Sequence, residues 1–309
     1  MDTLIQQIIN GLVLGSVYAL VALGYTMVYG ILQLINFAHG EVLMIGAMIA
    51  LTVLQIMTLY FPGIPLVIQL LIATLVAIPA CMLLSAAIER IAYRPLRNSP
   101  RLAPLITAIG LSIVLQTLAM MIWSPNPRVF PDLLSTTPFE IAGALLAPKQ
   151  LLILVVAGLA MLGLLLLVHR TRLGRAMRAV SENPKIASLM GVNPDQIITA
   201  TFILGAALAA IAGVLVAMNY NIVHFTMGFL LGLKAFTAAV LGGIGNLAGA
   251  VAGGLLLGII ESLGAGYVGD LTGGFLGSHY QDIFAFAVLI LVLVFRPSGL
   301  LGERIADRA

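Results

Sequence analysis

The chain has 309 residues, of which 61% are hydrophobic and only 9% charged, with a net charge of +3 and a mean hydropathy of +1.12. A soluble domain carries roughly 25% charged residues, so this composition argues against a soluble enzyme, a nucleic-acid binder and a disordered chain. The apolar residues recur in blocks of about 20, the length that crosses a hydrocarbon core. The expected fold is therefore all-α: a polytopic helical membrane protein.

The apolar blocks cover residues 8–30, 42–60, 66–88, 102–123, 151–168, 197–218, 229–243, 247–264 and 282–295. The first has no basic segment before it and many spans after it, so it reads as a retained span and not a cleaved signal peptide. Cys81 lies inside the third block. As the single cysteine it forms no intramolecular disulfide and reads as a small packing residue.

Three polar stretches hold most of the cations. Residues 89–101 contain Arg90, Arg94, Arg97 and Arg101; residues 169–196 contain Arg170, Arg172, Arg175, Arg178 and Lys185; the tail contains Arg296, Arg304 and Arg308. These are twelve of the 15 Lys and Arg, and the positive-inside rule places all three stretches in the cytoplasm. The basic pI of 9.2 then reports orientation, with no nucleic-acid partner. The stretch 124–150, with Pro125, Pro127, Pro131 and Pro138, and the stretch 265–281, with Asp270, read as external loops with room for short interfacial helices. Parity gives nominally nine spans, or eight if one short segment is re-entrant, with the N-terminus outside and the C-terminus cytoplasmic.

Small residues recur every fourth position at Gly205, Ala209, Gly213 and Ala217, and again at Gly245, Gly249 and Gly253. This spacing lets helix backbones approach closely in lipid. Packing within the subunit is the first reading, and a subunit interface is the alternative.

Three segments carry polar chemistry. Asn36, His39 and Glu41 sit between two apolar blocks with hardly any loop, and ionisable groups at membrane depth face a cavity or a partner. They form either a substrate-pathway element or a short turn with a satisfied His–Glu pair. No third ligand is local, so no metal site is expected. The run Gly242-Gly243-Ile244-Gly245-Asn246, with Lys234 before it and Glu261 after it, is a second glycine-rich break of the kind that borders transport pathways. Catalytic residues and cofactors are not expected, and no Walker A sequence is present.

The third segment is the basic loop 169–196. Asn183 is placed to cap a short helix that begins at Pro184. Ile186, Leu189 and Met190 fall on one face, and Gly191 can end the helix. Such a helix lies on lipid, packs on its own protein or docks into a partner's groove.

This loop resembles the cytoplasmic coupling loop of ABC-importer permeases. Together with Ile35-Asn36-Phe37-Ala38-His39-Gly40-Glu41 and Gly242-Gly243-Ile244-Gly245-Asn246-Leu247-Ala248-Gly249, it is similar to the LivH-type permeases of branched-chain amino-acid uptake. The resemblance covers nearly the whole chain and implies one permease domain over residues 1–309. It implies import of Leu, Ile or Val across the bacterial inner membrane by ATP-driven alternating access. It also implies the partners: a second, LivM-type permease, two cytoplasmic ATPases and a periplasmic substrate-binding protein. Residues 183–191 become the ATPase-coupling element, and Asn36, His39, Glu41, Gly242, Gly243, Asn246 and Glu261 the candidate pathway residues. Urea and short amides are alternative substrates within this type. A stand-alone ion-coupled transporter, using His39, Glu41, Glu261 and Lys234, is the rival from another class.

Overall fold

A computed structural model describes residues 2–97, 99–100, 102–132, 137–141, 143–271 and 281–302. Arg101, Arg304, Arg308 and most of the glycine-rich stretch before residue 281 lie outside the described residues. The helices are α1 (Asp2–Leu32), α2 (His39–Tyr60), α3 (Leu66–Ile88), α4 (Leu102–Trp123), α5 (Pro148–Arg170), α6 (Arg172–Glu182), α7 (Pro184–Leu189), α8 (Pro194–Tyr220), α9 (Met227–Gly242), α10 (Leu247–Leu271) and α11 (Gln281–Phe295). Among the described residues, seven helices are long and apolar enough to span a bilayer, and α9 and α11 are shorter apolar helices. The chain is a polytopic helical membrane protein. Leu71, Leu75 and Leu83 of α3, Ile106 and Ile113 of α4, and Leu159 of α5 are exposed on these helices. Lipid accepts side chains that water would penalise.

Two departures from expectation concern the polar stretches. The described part of 124–150 before α5 holds short strands, in a stretch that the sequence reads as an external loop with room for interfacial helices. A two-residue strand β1 (Arg128–Val129) and a hairpin, β2 (Phe139–Ile141) with β3 (Ala144–Leu146), occupy it. A fourth strand, β4 (Ile222–Val223), pairs antiparallel with β1, with Arg128 opposite Val223. Pro125, Pro127, Pro131 and Pro138 each lack a backbone donor and oppose a helical turn. In the basic loop, an extra helix, α6, precedes the expected short one. Thr171 caps it, its Oγ1 accepting from the Gly174 N–H at 3.1 Å, and Met177 and Val180 are buried along one side.

The chain divides into two compact units. One contains Met27–Leu134 and Leu162–Leu233. Its centre is α2, α3 and α8, where small residues allow close approach. A Cβ on Gly213 would lie 2.2 Å from the Leu43 carbonyl oxygen. Ala206, Ala209, Ala210 and Ala217 of α8 are fully buried, and so is Cys81 of α3, whose Sγ lies 3.5 Å from the Val42 carbonyl oxygen. Beyond Ile88 the third helix continues as a π-helical turn, Glu89–Tyr93, and a 3₁₀ turn, Arg94–Leu96.

The other unit contains Met1–Thr26, Ser135–Met161 and Lys234–Ala309. Here α1 and α10 cross at small residues: a Cβ on Gly258 would meet the Gly15 backbone at 2.3 Å. Gln6 ties α1 to the hairpin, accepting from the Leu145 N–H at 2.8 Å. Of the four-residue spacings seen in the sequence, Gly213 and, at 2.1 Å from the Ala238 carbonyl oxygen for a Cβ, Gly253 pack within the subunit, whereas a Cβ on Gly245 would meet nothing within 4 Å.

Candidate functional site

In the unit centred on α2, the segment after Leu32 cannot continue the helix. Gln33 takes a left-handed φ of 55°, and the His39 N–H closes a turn on the Asn36 carbonyl at 3.0 Å. Asn36, His39 and Glu41 are thereby brought to the N-terminal end of α2, all buried. Asn36 Oδ1 accepts from the Tyr93 hydroxyl at 2.9 Å. Glu41 is 0% exposed. Its Oε1 accepts from Ser112 Oγ and from Gln116 Nε2, both at 2.8 Å. Its Oε2 makes no hydrogen bond among the described residues. That oxygen faces the first turn of α9: a Cβ on Gly228 would lie 2.8 Å from it and 2.4 Å from the Gly40 carbonyl oxygen. Glycine at both 40 and 228 is what allows this approach.

The other predicted residues belong to the second unit and separate into two places. Gly242, Gly243 and Asn246 make the corner between α9 and α10. Gly243 and Gly245 adopt φ of 106° and 99°, conformations that disfavour any side chain. Asn246 caps α10 through the Gly249 N–H at 3.0 Å, and its Nδ2 donates to the Leu301 carbonyl at 2.8 Å. Glu261 lies about 22 Å further along α10 at 1.5 Å per residue. Its Oε1 is 2.6 Å from Lys234 Nζ, and its Oε2 accepts from the Tyr18 hydroxyl at 2.9 Å. All three residues are buried, and the ammonium lies 5.8 Å from the Tyr18 ring centroid.

The short helix α7 forms as the sequence indicated. Asn183 Oδ1 accepts from the N–H groups of Lys185 at 3.0 Å and Ile186 at 3.1 Å, and Gly191 ends the segment with φ of 83°. Ile186, Leu189 and Met190 are 59%, 86% and 80% exposed. Three apolar side chains thus stand out from the basic loop.

Several partners were missed by sequence reasoning. Ser112 and Gln116 form a polar i, i+4 pair in an otherwise apolar block, a signal that was available. Tyr18, Tyr93 and Glu89 gave none, because their roles depend on contacts far along the chain.

Buried polar clusters between apolar helices, with a capped apolar helix projecting from a basic loop, are the features of a membrane-embedded transport subunit. Residues 7–293 match the family model described as branched-chain amino acid transport system / permease component, and the chain belongs to that family. It is 49% identical over 306 residues to the high-affinity branched-chain amino acid transport system permease protein BraD of Pseudomonas aeruginosa, covering 97% of this chain and 96% of that one. It is 46% identical over 306 residues to the permease protein LivH of Escherichia coli K12, with the same coverage. Among solved structures, PsaBC from Streptococcus pneumoniae in complex with Fab is similar over 96% of this chain and 91% of that chain, at 14% identity and a TM-score of 0.44.

Proposed function

We propose that this chain is the permease subunit of an ABC importer that moves Leu, Ile and Val across the inner membrane into the cytoplasm by ATP-driven alternating access. The family and the names of its relatives support the substrate class. The observation that carries the ATP-driven reading is α7. A helix of this length is marginal alone in water, since isolated helices below about 12–15 residues are unstable. Yet it presents Ile186, Leu189 and Met190 outward. A groove on a cytoplasmic ATPase buries that face and orders the helix.

In this reading the arginine-bearing ends face the cytoplasm and the N-terminus faces the periplasm. Residues 1–309 act as one permease domain, beside a second, LivM-type permease. Two ATPases bind below, and a periplasmic binding protein delivers the amino acid. Asn36, His39 and Glu41 in one unit, and Glu261 with the Gly242–Asn246 corner in the other, are the pathway candidates. The carboxylate of Glu41, with one oxygen lacking a hydrogen bond among the described residues, is suited to meet an α-ammonium group.

The test is Leu189→Asp with Met190→Asp. Burying an apolar side chain of this size is worth about 1.5–3 kcal/mol before ordering costs, so two carboxylates at these positions weaken docking by orders of magnitude. The variant permease remains in the membrane, ATPase subunits no longer co-purify, and substrate no longer stimulates ATP hydrolysis in proteoliposomes. Retention of both co-purification and stimulation assigns α7 to the lipid surface or to its own subunit.

A further inference from the structure

The first turn of α8 is tied into a polar chain that the transport reading does not use. The chain restarts soon after α7: Asn193 caps α8, its Oδ1 accepting from the Asp195 N–H at 3.0 Å. The Asp195 carboxylate pairs with Arg94 and, at 2.5 Å, with Arg97. Arg97 turns its other nitrogen to Glu89, and Glu89 Oε2 accepts from Thr199 Oγ1, one helical turn beyond Asp195, at 2.8 Å. Glu89 is fully buried, whereas Asp195 is half-exposed. Two exposed charges alone would add little stability. The buried glutamate bridging Arg97 and Thr199 is costly to place and makes the junction rigid once formed.

Glu89 also opens the π-helical turn. The Arg94 N–H reaches back to the Glu89 carbonyl, widening the helix by one residue. Such turns are frequent at functional sites. Here the far end of the turn is Tyr93. Its ring packs on Phe202 of α8 at 5.4 Å between centroids, and its hydroxyl reaches Asn36 at 2.9 Å. A continuous run of contacts therefore leads from the residues that follow α7, through Asp195, Arg97 and Glu89, around the π-turn to Tyr93 and Asn36, beside His39 and Glu41.

We propose that this run is the transmission element of the permease: Asp195, Arg97, Glu89 and Tyr93 are positioning residues that carry displacement of α7 to the Asn36–Glu41 turn. The inference rests on α7 being the ATPase-docking helix. A rigid chain of this kind couples two sites when both bias its arrangement. Because α8 and the end of α3 are joined at Glu89, α7 moves both helices together, and Tyr93 converts that motion into a shift of Asn36.

The test uses the complete transporter, with its ATPases and binding protein, in proteoliposomes supplied with leucine. Tyr93→Phe keeps the ring on Phe202 and removes only the hydroxyl that reaches Asn36. Asp195→Asn keeps the side-chain shape and removes the charge facing both arginines. In each variant permease abundance and ATPase co-purification match wild type, ATP hydrolysis continues, and leucine moved per ATP falls at least tenfold. The double variant falls no further than the lower single, because both changes break one chain, whereas independent sites would multiply their losses. Wild-type transport per ATP in either single variant, or multiplicative losses in the double, overturns the relay. So does a fall in transport that only follows a fall in abundance, which assigns these residues to folding. Wild-type permease that brings no ATPase with it defeats the docking premise itself, a result read before any variant is compared.

Discussion

Glu261→Gln is expected to cost more stability than any other single polar change in its unit. The substitution keeps the side-chain volume and the acceptor for Tyr18, but leaves the buried Lys234 ammonium, previously 2.6 Å from a carboxylate oxygen, facing a neutral amide. Breaking a buried pair by removing one partner costs about 3–5 kcal/mol, a factor of about 10²–10⁴ in the folded fraction at 1.4 kcal/mol per decade. A domain has only about 5–15 kcal/mol in total. Lys234→Met leaves the mirror-image defect, an uncompensated carboxylate held by one tyrosine. Replacing both, Lys234→Met with Glu261→Met, removes both charges at similar volume, so most of the loss is recovered. The assay is the thermal aggregation midpoint of detergent-solubilised permease, measured by size-exclusion chromatography after heating, alongside membrane abundance. Both single variants should melt well below wild type and the double close to it. A double as damaged as the sum of the singles, or singles that melt like wild type, would refute the pairing. Uptake by the stable double then separates the roles: normal transport makes the pair a pin between helices, and lost transport in a stable protein places it on the pathway.

Three further outcomes are expected. In a Cys81→Ser background, cysteines at positions 90 and 178 should react with a membrane-impermeant thiol reagent only from the cytoplasmic side, and external labelling at both would invert the orientation. Gly228→Ala places a Cβ 2.4 Å from the Gly40 carbonyl oxygen and 2.8 Å from Glu41 Oε2, so α2 and the start of α9 must separate. Overpacking of this kind costs about 1–3 kcal/mol, read as a lower melting midpoint, and an unchanged midpoint would refute the close approach. Glu41→Gln should leave abundance near wild type, because Gln also accepts from Ser112, and should cut leucine uptake at least tenfold; normal uptake would remove Glu41 from the pathway.

Much of this molecule was legible because lipid imposes simple rules. Each of the seven helices of spanning length among the described residues is visible as an apolar block, and α7 is marked by its own punctuation, Asn183-Pro184 before it and Gly191 after it. The α9–α10 corner was marked in the same way by Gly242 to Asn246. What escaped depends on distance along the chain or on backbone detail. Met177 and Val180 stand at helical spacing in the basic loop, but with Arg172, Arg175 and Arg178 around them the apolar stripe is too narrow to mark α6. The pairing of β1 with β4 joins Arg128 to Val223, and no local pattern announces it. The π-turn at Glu89–Tyr93 is a change of one hydrogen-bond step, which residue types do not encode. The candidate residues themselves were found by polarity in an apolar setting, a rule that locates a buried group but does not name its partner.

The partners are what separate the three glutamates buried among the described residues. Each is a carboxylate removed from water, and each must be compensated or left costly. Glu261 is compensated by a full charge, Lys234, and by the Tyr18 hydroxyl. Glu89 is compensated by Arg97 and by Thr199, which sets it between α8 and the π-turn. Both are closed arrangements, with each carboxylate oxygen engaged, and an approaching cation would have to displace a bound one. Glu41 differs. It has no ion pair among the described residues, only neutral donors on one oxygen, and its second oxygen lies where a Cβ on Gly228 would come within 2.8 Å. A rigid scaffold would gain by closing that site, as the other two are closed. In the proposed pathway, a cationic group arriving with the substrate would meet in Glu41 an oxygen that no hydrogen bond occupies among the described residues.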